Sequence, residues 1–364
     1  MAISDYNRSA ALNLLLGSIA IGPGMEREKV NNAFQQVLAD LAAFYEDEFS
    51  NAAAETPEKY GAVGDGVAND TGALTAMYAS GAKYFVLRNT YKISGTVAVP
   101  TGSITDGRGS GKILVSTANV TALNIASVTG VTIRNLQLQS TVAGALANVS
   151  GITIDQSTYC DIIGCTITGF QWAGVLVADA SYVRVVGNSF GTMLGTVADA
   201  SDIHVYYDSD NVLVADNFCF GARTVGINIQ DPGGAGTYLP RQVTVRNNII
   251  GAHTVFGINV YVGSPVGTVR NSDIIVEGNF VEGITGAGNT SNGMGIYCVG
   301  NGLGGLRVVN NRVKNCCTAT LDRTNGPAGI TISGFGQTAG LTGTAVSPIV
   351  SGNNVDGMTQ GDGI

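Results

Sequence analysis

From Gly151 onward, apolar and polar positions alternate in short bursts separated by glycine- and asparagine-rich breaks. The bursts read GITID at Gly151, GVLVA at Gly174, DIHVY at Asp202, GINIQ at Gly226, GINVY at Gly257, GIYCV at Gly295 and GITIS at Gly329, with steps of 23, 28, 24, 31, 38 and 34 residues. A second series runs at an offset: VRVVGN ending at Asn188, VLVADN at Asn217, TVRNN at Asn248, IIVEGN at Asn279, RVVNN at Asn311 and VSGNN at Asn354. Period-two alternation over runs this short predicts β-strands. Two strand series in fixed alternation predict the coils of a solenoid, because one coil cannot bury its inward face alone and must stack on its neighbours. Alternation then places Ile227 and Ile229 inward and Asn228 and Gln230 outward. Asn188, Asn217, Asn248, Asn279, Asn311 and Asn354 are expected to stack at one turn, their amides joined in a ladder. A β-propeller repeats at a similar length but needs four strands per blade and aromatic signatures that this chain lacks.

Ahead of the coils the period changes. Residues 1–24 are mixed and end in the breaker IGPG. Over residues 25–50, Val30, Phe34, Val37, Leu41 and Phe44 recur at alternating steps of four and three, the spacing of a coiled-coil seam. Glu26 and Glu28 fall in the first turn, where the helix dipole favours them. This predicts an amphipathic helix that self-associates. Residues 51–95 then open the solenoid, which occupies 96–364.

Composition narrows the class without changing it. The chain has 364 residues, 51 of them glycine, with only 13% charged and 45% hydrophobic, which fits a β-rich protein with many turns. Its net charge of −8 argues against a general nucleic-acid binder. The six cysteines (Cys160, Cys165, Cys219, Cys298, Cys316 and Cys317) show no paired CxxC spacing and are expected as reduced thiols filling the core. Neither histidine, His204 or His253, has zinc-like spacing, and both are expected at the surface. No metal or cofactor is expected. No window reaches the roughly 20 apolar residues of a membrane span, and the first residues lack the basic and apolar regions of a signal peptide.

The stretch KYGAVGDGVANDTGAL, Lys59 to Leu74, looks at first like a phosphate loop. It lacks the lysine and the spacing of one. It reads instead as punctuation: Tyr60-Gly61-Ala62 ends a strand, Gly64-Asp65-Gly66 turns, and Asp70 or Thr71 caps a helix over Gly72 to Ser80. That helix would cover the open edge of the first coil. YGAVGDGVANDTGAL resembles the opening motif of pectate-lyase-like right-handed parallel β-helix proteins, a family of polysaccharide lyases, glycoside hydrolases and bacteriophage tailspikes. GPGMEREKVNNAFQQVLADLAAFYEDEF is similar to the segment ahead of the receptor-binding part of phage tail fibres and tailspikes. The two resemblances run from about Ile21 onward. They imply a homotrimeric virion component, made in the host cytoplasm, that docks on a tail or baseplate protein through residues 1–24 and binds a bacterial surface polysaccharide.

Stacking the first strand series and reading outward positions gives one column with His204, Asn228, Asn259 and Tyr297. A second column, two residues on, carries Tyr206, Gln230 and Tyr261. Tyrosine faces and amides on a rigid sheet suit sugar rings and hydroxyls. Glycan hydrolysis needs two carboxyls, about 5 to 5.5 Å apart for retention or about 6.5 to 9.5 Å for inversion. Asp208 and Asp231, with Asp179 in reserve, lie where these strands turn away and are the candidate pair. A lyase would need clustered carboxylates beside a base, and neither Arg223 nor Arg246 has such a cluster. Three functions follow: a tailspike that binds and also cuts a surface polysaccharide, a free polysaccharide hydrolase or lyase of the same fold, and a structural fibre without catalysis. The absence of an export signal favours the virion reading over the free enzyme. Finally, the glycine series resumes at Gly363-Ile364, 34 residues after Gly329-Ile330, so the chain is expected to be the N-terminal part of a longer polypeptide.

Overall fold

The computed structural model describes residues 54–142, 149–194, 200–221, 224–231, 239–263, 270–286, 293–301, 303–316, 329–333 and 347–357. The expected helix with its seam at Val30, Phe34, Val37, Leu41 and Phe44, and the closing Gly363-Ile364, lie outside these residues. The chain divides into two units, Met1–Ala54 and Glu55–Ile364, and the coils belong to the second.

Each coil lays down three strands on three sheets. A representative coil runs Ala173–Ala178 on sheet I, Ser181–Val186 on sheet II and Ser189–Phe190 on sheet III, before Ser201–Tyr206 returns to sheet I. Among the described residues the sheets hold nine, ten and eleven strands respectively. Strands from successive coils pair in parallel on all three sheets.

The register follows the sequence steps. On sheet I, Ile152, Val175, Ile203, Ile227, Ile258, Ile296 and Ile330 align one above another. All seven are at most 1% exposed, so they form one continuous aliphatic stack inside the solenoid. Burying each such side chain contributes about 1.5–3 kcal/mol. The column just before them is glycine at 151, 174, 226, 257 and 295, where an added Cβ would come within 2.6–2.7 Å of the next coil's carbonyl oxygen. Five described cysteines are buried and free, and Cys298 continues a second inward stack with Val260 and Ile332. Burial pushes the Cys160 and Cys316 thiols up to about 11 and the Cys165 thiol up to about 12. Cys317 lies outside the described residues.

From the strand Thr129–Arg134 onward, the corner between sheets II and III is two residues. Its first residue is left-handed: across Gly187, Asp216, Asn247, Gly278, Asn310 and Gly352, φ runs from 55° at Asn247 to 66° at Gly187 and Gly352. Glycine, asparagine and aspartate are the residues that tolerate this region. From Asn188 on, the second residue is the ladder asparagine. Asn217 shows the pattern. Its Oδ1 accepts from the backbone N–H and Nδ2 of Asn188 at 2.9 and 3.0 Å, and its Nδ2 donates to Val185 O and to Asn248 Oδ1, both at 2.9 Å. The same bonds link Asn248 to Asn279 and Asn279 to Asn311. The ladder then passes to Asn353, not to Asn354: Asn311 donates to Asn353 Oδ1 from its backbone N–H at 2.9 Å and from Nδ2 at 3.0 Å. In the Asn-Asn doublet, the residue after the left-handed Gly352 is the one that points inward, and Asn354 already begins a strand.

The opening stretch differs from its reading in detail. Pro57–Tyr60 is a 3-10 turn rather than a strand end, with Gly61 left-handed at φ 90°. The helix spans Thr71–Tyr78 after Asp70, whose side chain does not cap it. The Asp70 carboxylate instead accepts from Val63 N–H at 2.8 Å and Gly64 N–H at 3.2 Å, pinning the glycine turn. Leu74, Met77 and Tyr78 are buried in the same core as Phe85, Tyr91 and Ile113, so the helix closes the first coil.

Candidate functional site

The outer face of sheet I carries the expected columns. His204, Asn228, Asn259 and Tyr297 align on successive coils, and beside them Tyr206, Gln230 and Tyr261 do the same. All seven therefore share one face. Their accessibility differs. His204, Asn228 and Asn259 are 1%, 0% and 7% exposed, so they form a buried layer. Tyr206, Gln230 and Tyr297 are half-buried and Tyr261 is exposed.

The buried layer is hydrogen-bonded along the solenoid. Asn259 Nδ2 donates to Asn228 Oδ1 at 2.7 Å, and Asn228 Nδ2 donates to Gln230 Oε1 at 3.0 Å and faces His204 Nε2 at 3.2 Å. An amide NH₂ can only donate, so His204 accepts at Nε2 and carries its proton on Nδ1. Burial lowers the His204 pKa from 6.5 to about 3, keeping the ring neutral. Among the described residues, His204 Nδ1 and Asn259 Oδ1 are buried without a hydrogen-bond partner. One is a donor and the other an acceptor.

Sequence patterning missed the aromatic part of this face. Trp172 packs edge-on against His204, with centroids 5.3 Å apart, and against Tyr206 at 6.0 Å. Tyr206 meets Tyr207 at 4.2 Å. With Ala173, Leu176 and Ala178 they form an apolar cluster on the outside of the solenoid. Trp172 precedes its strand, in a connection where alternation gives no face. Tyr207 sits at φ 55°, in the corner after its strand, again outside any period-two reading. Farther along, Phe256 and Tyr297 stack with centroids 4.8 Å apart.

The histidines are not at the surface. His204 is covered as described, and His253 is fully buried with its Nε2 3.1 Å from Asp202 Oδ2. Asp202 stands in the inward glycine column, which is how a carboxylate reaches a histidine 51 positions away. Alternation assigns a face but not what lies over it.

The three candidate carboxyls separate. Asp179, Tyr207 and Asp231 occupy equivalent corner positions, one residue past the aligned Ala178, Tyr206 and Gln230. Asp208 is one residue further on, in a corner of three residues where the preceding coil has two. Asp179 Oδ1 accepts from Asp208 N–H at 3.2 Å, and Asp208 Oδ1 accepts from Leu239 N–H at 2.8 Å. Asp231 is 1% exposed, whereas Asp208 is exposed. A fourth carboxyl, Asp155, is raised above the usual range by burial and by the charge of Asp179 on the next coil. Among the described residues, no group of three or more histidine, cysteine or carboxylate side chains could hold a metal ion.

The model of the right handed beta helix region matches residues 121–292, the span that carries most of these columns. The fold is a right-handed parallel β-helix. No curated protein matches the chain in sequence. Among solved structures, the β-helix is similar to the Streptococcus pneumoniae surface protein and adhesin PfbA, at 13% identity and a TM-score of 0.55, over 85% of this chain and 99% of that one. It is also similar to the Yersinia enterocolitica family 28 exopolygalacturonase, at 13% identity and a TM-score of 0.55, over 82% of this chain and 65% of that one. The Dettilon tailspike protein aligns at 15% identity and a TM-score of 0.44, over 82% and 68% of the two chains. At that score the tailspike adds nothing to the fold assignment. Among the described residues, no helix is long and apolar enough to cross a membrane.

Proposed function

We propose that this β-helix binds a polysaccharide along the outer face of sheet I. The observation that carries this reading is the aromatic shelf of Trp172, Tyr206 and Tyr207, set beside the hydrogen-bonded row His204–Asn228–Asn259. Aromatic faces take the apolar side of a sugar ring, and the half-buried Gln230 and exposed Tyr261 are placed to meet hydroxyls. The buried row holds this layer rigid, so little ordering cost falls on binding. The structural likeness to an adhesin and an exopolygalacturonase accords with the fold and does not by itself identify a ligand.

The sequence resemblance extends the proposal to a phage tail, with the polysaccharide on a bacterial surface and residues 1–24 docking on a tail protein. Trimerisation through Val30, Phe34, Val37, Leu41 and Phe44 belongs to the same proposal. Loss of trimer mass on sedimentation of a Phe34→Ser, Leu41→Ser variant is the expected result, and an unchanged mass removes the seam.

One observation favours cleavage as a second reading. Burial first, and then the charge of Asp179 on the next coil, push the Asp155 carboxyl up, the direction expected of a general acid beside a second carboxylate. Coils are about 4.8 Å apart, near the spacing of a retaining pair.

The test of binding uses surface polysaccharides from a panel of bacteria. Wild type is expected to retain at least one of them on a gel-shift or calorimetric assay. Tyr206→Ala with Trp172→Ala should weaken it at least about tenfold, roughly 1.4 kcal/mol. Equal affinity in the variant would move the site off sheet I. Sizing the polysaccharide after incubation tests cleavage: shorter products that vanish in Asp155→Asn or Asp179→Asn support it, whereas products made equally by both variants but lost in Asp208→Asn or Asp231→Asn return the chemistry to that pair.

A further inference from the structure

A second groove lies on a different side of the β-helix, on the outer face of sheet II. Its volume is about 500 Å³, within the range of ligand sites. Two in-register columns line it. One is Tyr159, Tyr182, Asn211 and Gln242; the other is Asp161, Arg184, Leu213 and Thr244.

The first column has an unusual backbone. Tyr159 and Tyr182 both have φ 56°, Asn211 has 54° and Gln242 has 51°. The same position is Gly130 at φ 70° on the coil before Tyr159, and Asp273 at φ 51° followed by Gly305 at φ 79° on the two coils after Gln242. The coil geometry therefore needs a left-handed residue here and accepts glycine. A tyrosine carries steric strain in this region that glycine does not. Strained side chains of this kind concentrate where they serve binding or catalysis. The two tyrosines serve no core: they are 60% and 49% exposed. They stack on each other, with centroids 4.8 Å apart and planes 6° from parallel, so each also presents a ring face along the solenoid axis.

The polar groups define what such faces would take. Among the described residues, the side-chain amides of Asn211 and Gln242 make no hydrogen bond within the protein. The charges cancel locally, Arg184 with Asp161 at 3.6 Å and Arg241 with Asp210 at 3.9 Å. Stacked aromatic faces, uncommitted amides and balanced charge suit a ligand that is uncharged, hydroxyl-rich and ring-shaped. We infer that this groove is a second carbohydrate site, specific for a neutral saccharide and independent of the sheet I face. A second copy of the chain would need a broad apolar surface, and this one alternates ion pairs with amides.

Glycine gives a test that spares the fold. A Tyr159→Gly, Tyr182→Gly variant removes both rings and supplies the residue that the same column already uses at Gly130 and Gly305. The full chain is titrated with neutral hexasaccharides of glucose, galactose, mannose and N-acetylglucosamine, by calorimetry and by saturation-transfer NMR. Wild type is expected to bind at least one of them, and the glycine variant should bind it at least about tenfold more weakly while melting at the same or a higher temperature. A Tyr206→Ala, Tyr261→Ala variant, altered only on sheet I, should keep the tyrosine-groove contacts. Affinity and stoichiometry unchanged in the glycine variant would overturn the inference and leave the sheet I site untouched. Binding lost only in the glycine variant would uphold it and count against sheet I. Failure of wild type to bind any of the hexasaccharides would overturn it, as would a change of sedimentation mass in the glycine variant with no change in binding, which would mark a contact between copies.

Discussion

Gly187 shows what a single backbone angle is worth in this fold. It stands first in the two-residue corner at φ 66°, and no atom of the described residues lies within 4 Å of where its Cβ would be. Gly187→Ala therefore meets no clash and isolates conformational strain. It is expected to cost about 1–2 kcal/mol in urea unfolding; a neutral result would mean the corner relaxes. The next residue in each corner is bound more tightly. Replacing Asn248 with alanine leaves Asn217 N–H without the Asn248 Oδ1 that it reaches at 3.0 Å, in a buried setting. It also removes the donor to Val214 O. Leaving such buried groups unpaired costs about 1–3 kcal/mol each, so a loss of about 3 kcal/mol or more is expected. His204 responds to pH rather than to packing. Its folded pKa of about 3 lies below its ordinary 6.5, so the unfolded chain takes up the proton first as the pH falls. The neutral ring thus leaves stability intact above pH 6.5 and erodes it between there and about 3, by up to about 1.4 kcal/mol per pH unit. Unfolding free energies at pH 7.5 and at pH 5 should fall less steeply in His204→Gln than in wild type; equal slopes would show that the burial does not control the titration.

At the scale of the element, alternation carried much of the fold. The steps between glycine-led strands are the same as the steps between aligned residues on sheet I, because each coil contributes one strand and side-chain stacking fixes its register. The ladder missed by one residue at its end, since an Asn-Asn pair does not say which member follows the left-handed corner. The site was legible as two columns and no further. Burial of His204, Asn228 and Asn259 depends on what covers the sheet, and Trp172 and Tyr207 sit in connections where no period applies. The helix Thr71–Tyr78 was legible from its apolar run, although its cap was not, because Asp70 spends its carboxylate on the glycine turn. Leu74 plugs the first coil without exposure. Leu74→Ala is expected to cost about 2–5 kcal/mol. Light scattering of this variant should also rise with concentration, as the first coil's edge becomes available to other chains; a stable variant that stays monodisperse would mean the helix is not the closure.

For the whole molecule, connection lengths matter more than any one contact. After two longer corners, three residues between Val86 and Thr90 and five between Asp106 and Lys112, the corner between sheets II and III is two residues on every described coil, Gly187-Asn188, Asp216-Asn217, Asn247-Asn248, Gly278-Asn279 and Asn310-Asn311 among them. The corners on either side of sheet I vary: two residues separate Ala178 from Ser181, three separate Tyr206 from Asp210, and ten separate Gln230 from Arg241. The β-helix is thus bound like a book along one spine, with pages cut to different widths on the side that carries the shelf. Changes of length on the open side leave the spine in register, so the reading face can be re-edited loop by loop while the binding that holds the coils together stays as it is.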